Sequence, residues 1–171
     1  IMFGFVKKVV FADSLAAATD PIWNNLSGSD PAAVLLAIYG FAFQIYFDFS
    51  GYTDIAIGIA LLFGFRFPQN FNYPYIATSL QEFWRRWHMT LSRWLRDYLY
   101  IALGGNRNGP TRTQVNLMLT MLLGGLWHGA SRNFVIWGGI HGLWLAIERS
   151  LLFRIPCWQS NALGMRVFRW F

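Results

Sequence analysis

The stretch "LLGGLWHGASRNF" (residues 122–134) closes an apolar run on an ionisable side chain, His128. Glycines 124, 125 and 129 flank it, so two reactants can approach the ring without meeting neighbouring side chains. An ionisable group set at the end of an apolar helix is a candidate proton acceptor, and histidine titrates in the range where it can take a proton. On residue types alone, a histidine that ends a helix serves equally to bond a backbone carbonyl. His88, in "FWRRWHMTLSRW", sits at the edge of an aromatic face, where a structural or donor-positioning role fits as well as direct proton transfer. His141 shares a helical face with Trp137, Trp144 and Glu148, which points to core packing. Asp48 and Asp54 interrupt an apolar stretch and read as hydrogen-bond anchors between helices rather than catalysts. Arg85, Arg86, Arg93, Arg96 and Arg107 form either a solvated face or a set of contacts to phosphate or an acidic partner. No metal site is expected, since HxxxH, HExxH and CxxC spacings are absent, and Ser50 in "DFSGY" is not in a GxSxG elbow.

These residues must be held by helices. Residues 1–19 are apolar but carry Lys7, Lys8 and Asp13, and suit an interfacial helix or a helix end. Residues 20–31 read as a loop from their Pro, Gly, Asn and Asp content. Ala32 to Phe47 is uncharged for 16 residues, and 32–65, if continuous, makes roughly 50 Å of helix, enough to cross a hydrocarbon core of about 30 Å. Residues 66–75 form a loop. Residues 79–98 read as one amphipathic helix opened by a Ser79–Glu82 capping box. Trp84, Trp87, His88, Leu91, Trp94, Leu95 and Tyr98 then share one face, and Arg85, Arg86, Arg93, Arg96 and Asp97 the other. Residues 104–113 form a polar turn-rich loop. Val115–Trp127 is uncharged for 13 residues, about 20 Å of helix, so it is expected to stop part way across and leave His128 at membrane depth. Residues 133–148 give a further apolar helix, and the remainder is amphipathic and basic.

Composition fixes the class. Of 171 residues, 55% are hydrophobic, 19% aromatic and only 13% charged, where a soluble domain averages about 25% charged. The expected fold is all-α: a polytopic membrane helical bundle with interfacial and interrupted helices. The net charge of +6 fits cytoplasmic loops better than a nucleic-acid surface. Arg66, Arg85, Arg86, Arg93, Arg96, Arg107 and Arg112 cluster between the two apolar regions, and by the positive-inside rule that block faces the cytoplasm. Cys157 is alone, so no intrachain disulfide forms. The chain opens on Ile1, and residues 1–171 are expected to be an internal part of one membrane-embedded domain. A proton-coupled transporter using intramembrane His and Asp is the alternative these features leave open.

The segments "QIYFDFSGYTDIAIGIALLFGF", "NFNYPY", "FWRRWHMTLSRWLRDYLYIALGGNR" and "LLGGLWHGA…FVIWGGIHG" resemble the membrane-bound O-acyltransferase superfamily over roughly residues 3–149. Within it the similarity is to bacterial alginate O-acetyltransferase membrane subunits, with the teichoic-acid D-alanyl transfer protein as a cousin. The resemblance implies a multi-helix enzyme of the bacterial inner membrane. A cytoplasmic thioester, acetyl-CoA or an acyl carrier, would meet an acceptor hydroxyl in a tunnel, with no permanently bound cofactor. It aligns His128 with the family's signature histidine and His88 with its second polar position. It makes the arginines candidate contacts to the donor's phosphates. The implied partners are membrane lipid, the acyl donor and an extracytoplasmic acetyltransferase or other polysaccharide-modification protein, with no nucleic acid.

Overall fold

A computed structural model describes residues 1–154, with side chains through Leu151; Cys157 and the basic C-terminal stretch lie outside the described residues. The described residues are helical and contain no strand, as the composition requires. They fall into two compact units, one ending at Asn70 and one beginning at Phe71.

The first unit is a pair of antiparallel helical stretches. Helix α1 (Met2–Phe5) runs through a π-helical segment (Val6–Ala12) into α2 (Asp13–Asn24). The expected loop from residue 20 therefore starts later: α2 carries on through Pro21, which removes one N–H only a turn from the helix end. Helix α3 (Pro31–Leu62) returns. Asp30 caps it by accepting the N–H groups of Ala32 and Ala33 at 3.1 and 3.4 Å, and Pro31 occupies the first helical turn. Its 32 residues extend about 48 Å, and it is long and apolar enough to cross a membrane. The two stretches touch backbone to backbone, since a β-carbon on Gly4 would lie 2.5 Å from the Gly51 carbonyl oxygen.

That close approach lets the charged groups meet. Lys7 Nζ lies 2.7 Å from Asp54 Oδ2, and Lys8 Nζ lies 2.8 Å from Asp48 and 3.1 Å from Asp13. Thr19 Oγ1 donates to Gln44 Oε1 at 3.1 Å, and Phe11 stacks on Phe47. Asp48 and Asp54 are thus interhelical anchors, and their partners are the lysines that interrupt the N-terminal apolar run.

The second unit holds the histidines. Helices α4 (Leu80–Arg86) and α5 (Met89–Trp94) lead through a π-helical segment (Leu95–Tyr100) and a turn to α6 (Gly109–His128), which pairs with α7 (Arg132–Arg154). Two expectations need correction. Residues 79–98 are not one helix: the chain breaks at His88, whose φ of 41° and ψ of 55° are left-handed. The break and the wider π turn shift the helical phase, so the single aromatic face does not form. Leu91 and Leu95 are buried while Trp94 and Tyr98 are exposed. Helix α6 also begins six residues before the uncharged segment, with Pro110 in its first turn, so its 20 residues extend about 30 Å. The polar residues of that turn are accommodated: Thr113 is buried and bonds the Gly109 carbonyl, and Asn116 donates to the Gly105 carbonyl at 2.9 Å.

Helices α6 and α7 pack through glycine. A β-carbon on Gly125 would strike the Phe134 carbonyl oxygen, and one on Gly138 the Met121 carbonyl oxygen. Such small-residue contacts bring the two backbones close and let dispersion act across the pair.

Candidate functional site

His128 is the last residue of α6, and the chain turns away at Gly129 before α7 begins at Arg132. Its ring is exposed, so it is accessible to a reactant. It packs edge-on against Trp127 at 5.0 Å and Trp137 at 5.5 Å between ring centroids, and stacks on Phe134 at 6.0 Å. These contacts fix the ring's direction in the absence of a covalent constraint.

His88 approaches from a segment 40 residues earlier in the chain. Its ring lies edge-on to Trp127 at 6.2 Å, so one indole carries both imidazoles. The helices around His88 have seven and six residues, too short to span a membrane. Burial, and then the neighbouring His128 imidazole, hold His88 below the ordinary histidine pKa, which favours the neutral ring at physiological pH. Thr90 Oγ1 lies 3.4 Å from His88 Nδ1; a hydroxyl donating there sets the tautomer with its hydrogen on Nε2.

A left-handed non-glycine residue costs of the order of 1–3 kcal/mol and persists only where its surroundings over-determine it. Those surroundings are explicit. Ser79 Oγ accepts the Glu82 N–H at 3.0 Å, as the capping box requires, while Glu82 Oε2 accepts the N–H of Thr78 rather than of Ser79. Glu82 Oε1 accepts from Arg86 Nε at 3.0 Å and Nη2 at 2.8 Å. Burial works to raise the Glu82 carboxyl, but the hydrogen bonds from Thr78 and Arg86 outweigh it and leave its pKa below the usual carboxylate value. On the other side of the break, Ser92 Oγ donates to the Trp87 carbonyl at 3.1 Å.

His141 lies on α7 between Trp137 at 4.6 Å and Trp84 at 5.4 Å, the packing environment its helical face suggested. Its Nδ1 and Trp84 Nε1 are buried and make no hydrogen bond among the described residues. Of the arginines, Arg86 is paired with Glu82 and Arg96 with its neighbour Asp97 at 2.7 Å, while Arg85, Arg93 and Arg107 are exposed. Among the described residues no group of three His, Cys, Asp or Glu side chains is placed to hold a metal ion.

Residues 26–170 match the model of MBOAT, the membrane-bound O-acyltransferase family. The chain belongs to that family. As such a protein it is 59% identical over 150 residues to the probable alginate O-acetylase AlgI of Pseudomonas aeruginosa, covering 88% of this chain and 29% of the relative. It is 48% identical over 147 residues to the peptidoglycan O-acetyltransferase of Helicobacter pylori, covering 86% of this chain and 28% of that protein. A teichoic acid D-alanyltransferase of Bacillus subtilis is 32% identical over 149 residues, covering 83% and 36%. The chain therefore spans about a third or less of the length of these relatives.

In this chain, sequence reasoning singled out His88 and His128 as candidates and missed what brings them to one indole. The left-handed break has no periodicity signal, because an amphipathic pattern continues across it. One signal was available: Glu82 and Arg86 stand four apart, the spacing at which a carboxylate and a guanidinium meet on a helix.

Proposed function

We propose that this chain is the reaction-centre portion of an enzyme that moves an acetyl group from a cytoplasmic thioester to a hydroxyl, for modification of an exported polysaccharide. The observation that carries the reading is the meeting of His88 and His128 on Trp127, at a helix break and a helix end. The neutral His128 imidazole takes the acceptor hydroxyl's proton as the oxygen attacks the thioester carbonyl. The tetrahedral adduct then expels the thiolate, which receives the proton from the imidazolium, so His128 ends neutral. His88, in the tautomer with its hydrogen on Nε2, donates a hydrogen bond to the oxygen that gains charge at the carbonyl.

The donor is acetyl-CoA or an acyl-carrier thioester, and the exposed Arg85, Arg93, Arg96 and Arg107 contact its phosphates or its acidic carrier. The two acetylating relatives support acetyl over D-alanyl cargo. The protein is placed in the bacterial inner membrane as a multi-pass protein, with the arginine block in the cytoplasm and an extracytoplasmic acetyltransferase as its partner. Family membership favours acyl transfer over a proton-coupled transporter.

The test is transfer of labelled acetyl from acetyl-CoA by the full-length protein in proteoliposomes, with a polysaccharide acceptor supplied. Label should appear on acceptor hydroxyls together with free coenzyme thiol. Proton flux without any acyl transfer, from either acetyl-CoA or a carrier thioester, would sink the reading.

A further inference from the structure

We propose that Arg86 and Glu82 are positioning residues, which fix the left-handed turn at His88 and so the placement of its imidazole, rather than contacts to the acyl donor. The inference rests on the reading of His88 as part of the reaction centre. Arg86 is committed within the chain itself. Nε and Nη2 are held by Glu82 Oε1, and Nη1 donates to the Asn72 carbonyl at 3.3 Å. The backbone repeats the connection in reverse, since Asn72 N–H donates to the Arg86 carbonyl at 2.9 Å. Asn72 thereby caps a carbonyl that the end of α4 would leave without an intrahelical partner. Arg86 joins the segment before α4 to the end of α4 twice, once by side chain and once by main chain.

Glu82 anchors the other end of this brace. Its second oxygen accepts from both the N–H and the hydroxyl of Thr78, at 3.0 and 3.2 Å. The carboxylate thus ties the entry of α4 to its exit. The next residue, Trp87, is gripped by Phe71 at 5.0 Å, Phe83 at 5.4 Å and Tyr75 at 6.1 Å. His88 follows directly, and its carbonyl accepts Ser92 N–H at 2.9 Å as α5 begins. A residue with a β-carbon stays left-handed only if both sides of it are held. The Arg86 brace holds the side towards α4, and Ser92 holds the side towards α5. Acyl transfer is sensitive to displacements of about 1 Å in a group that meets the reactants, so loosening the brace should act on turnover.

The experiment uses the full-length protein in proteoliposomes, with acetyl-CoA as donor. Lysine keeps the charge of Arg86 but cannot reproduce the fork to Glu82 together with the bond to Asn72. A donor-phosphate contact would survive Arg86→Lys in large part, and its loss would appear in the donor KM. A positioning role predicts that Arg86→Lys lowers kcat by about tenfold or more, with donor KM within about twofold. Glu82→Gln should do the same, although it frees the arginine for a phosphate. The deciding measurement is a double-mutant cycle with His88→Ala. If Arg86 works through His88, Arg86→Lys costs little further in the His88→Ala background. Independent, multiplying losses overturn the inference while leaving His88 in the reaction. A wild-type rate for folded His88→Ala overturns the reading of His88 and the inference with it. Thermal unfolding of each variant checks the fold, and where Arg86→Lys does not fold, Glu82→Gln carries the same cycle.

Discussion

The two helix pairs of this chain solve the same packing problem and treat their ionisable groups in opposite ways. Both bring helices together through glycine: Gly4 against Gly51 in the first unit, Gly125 and Gly138 against the facing backbone in the second. In the first unit the close approach seats cations on carboxylates, Lys7 on Asp54 and Lys8 on Asp48. In the second the α6–α7 contact ends at His128, whose ring is surrounded by Trp127, Phe134 and Trp137. Paired charge at a helix contact lowers the cost of placing it there and fixes register. An accessible imidazole held, among the described residues, by aromatic walls is oriented and remains able to exchange a proton. On the proposed reading, the difference separates groups that hold the molecule together from groups available for chemistry.

The largest effect that tests this division is at His128. His128→Ala should lower the chemical rate by about 10²–10⁴-fold, the range general-base catalysis supplies. The ring is exposed, so its removal leaves no large buried cavity, and the lost contacts to Trp127, Phe134 and Trp137 should lower the melting temperature by a few degrees at most. Single-turnover acetyl transfer beside an unfolding curve measures both. Near-wild-type transfer by the folded variant would make His128 a helix-end residue and remove the contrast between the units.

An intermediate effect is expected where the first unit is broken. Lys7 and Asp54 are half-buried, with side-chain exposures of 14% and 31%. That places the cost of Lys7→Met between the limits for exposed and buried pairs, about 1–3 kcal/mol. The loss should appear as a lower melting temperature, with turnover per folded molecule retained. Removing both partners in Lys7→Met/Asp54→Leu should recover part of the loss, because no charge is left unpaired. A stable but inactive Lys7→Met protein would move the pair from scaffold to chemistry.

What could be read from sequence follows the range of the interactions. Helix α3 was legible because its apolar run is long, while its start at Pro31, capped by Asp30, fell at the edge of the expected loop. The roles of Asp48 and Asp54 were legible as a class, since carboxylates within an apolar helix need partners. Their lysines were not named, because nothing local couples Lys7 to a residue 47 positions away. The continuation of α2 past Pro21, and of α6 back to Gly109, depends on packing that overrides local loop-forming residues. The break at His88 was hidden for the opposite reason, since local signals there favour an unbroken helix and the brace between Asn72, Glu82 and Arg86 overrules them.

The smallest effect is expected at His141, which tests whether every imidazole of the second unit belongs with His128. His141 fills the space between Trp84 and Trp137, and Trp137 in turn walls His128. Two turns further along α7, Glu148 is buried and accepts Gln81 N–H at 3.2 Å. Helix α4 is therefore fastened to α7 by the Glu148 bond at its start and by the contacts of Trp84 with His141 and Trp137 within it. His141→Gln keeps a polar group of similar reach but loses the ring contacts, worth about 1–2 kcal/mol for a pair of aromatic partners. The melting temperature should fall by a few degrees, while acetyl transfer per folded molecule stays within about threefold of wild type. Because the Glu148–Gln81 bond remains, α4 should keep its place on α7, and the His88 brace should be undisturbed. A well-folded His141→Gln protein with no transfer would put the third imidazole into the proton path and redraw the boundary between scaffold and reaction centre.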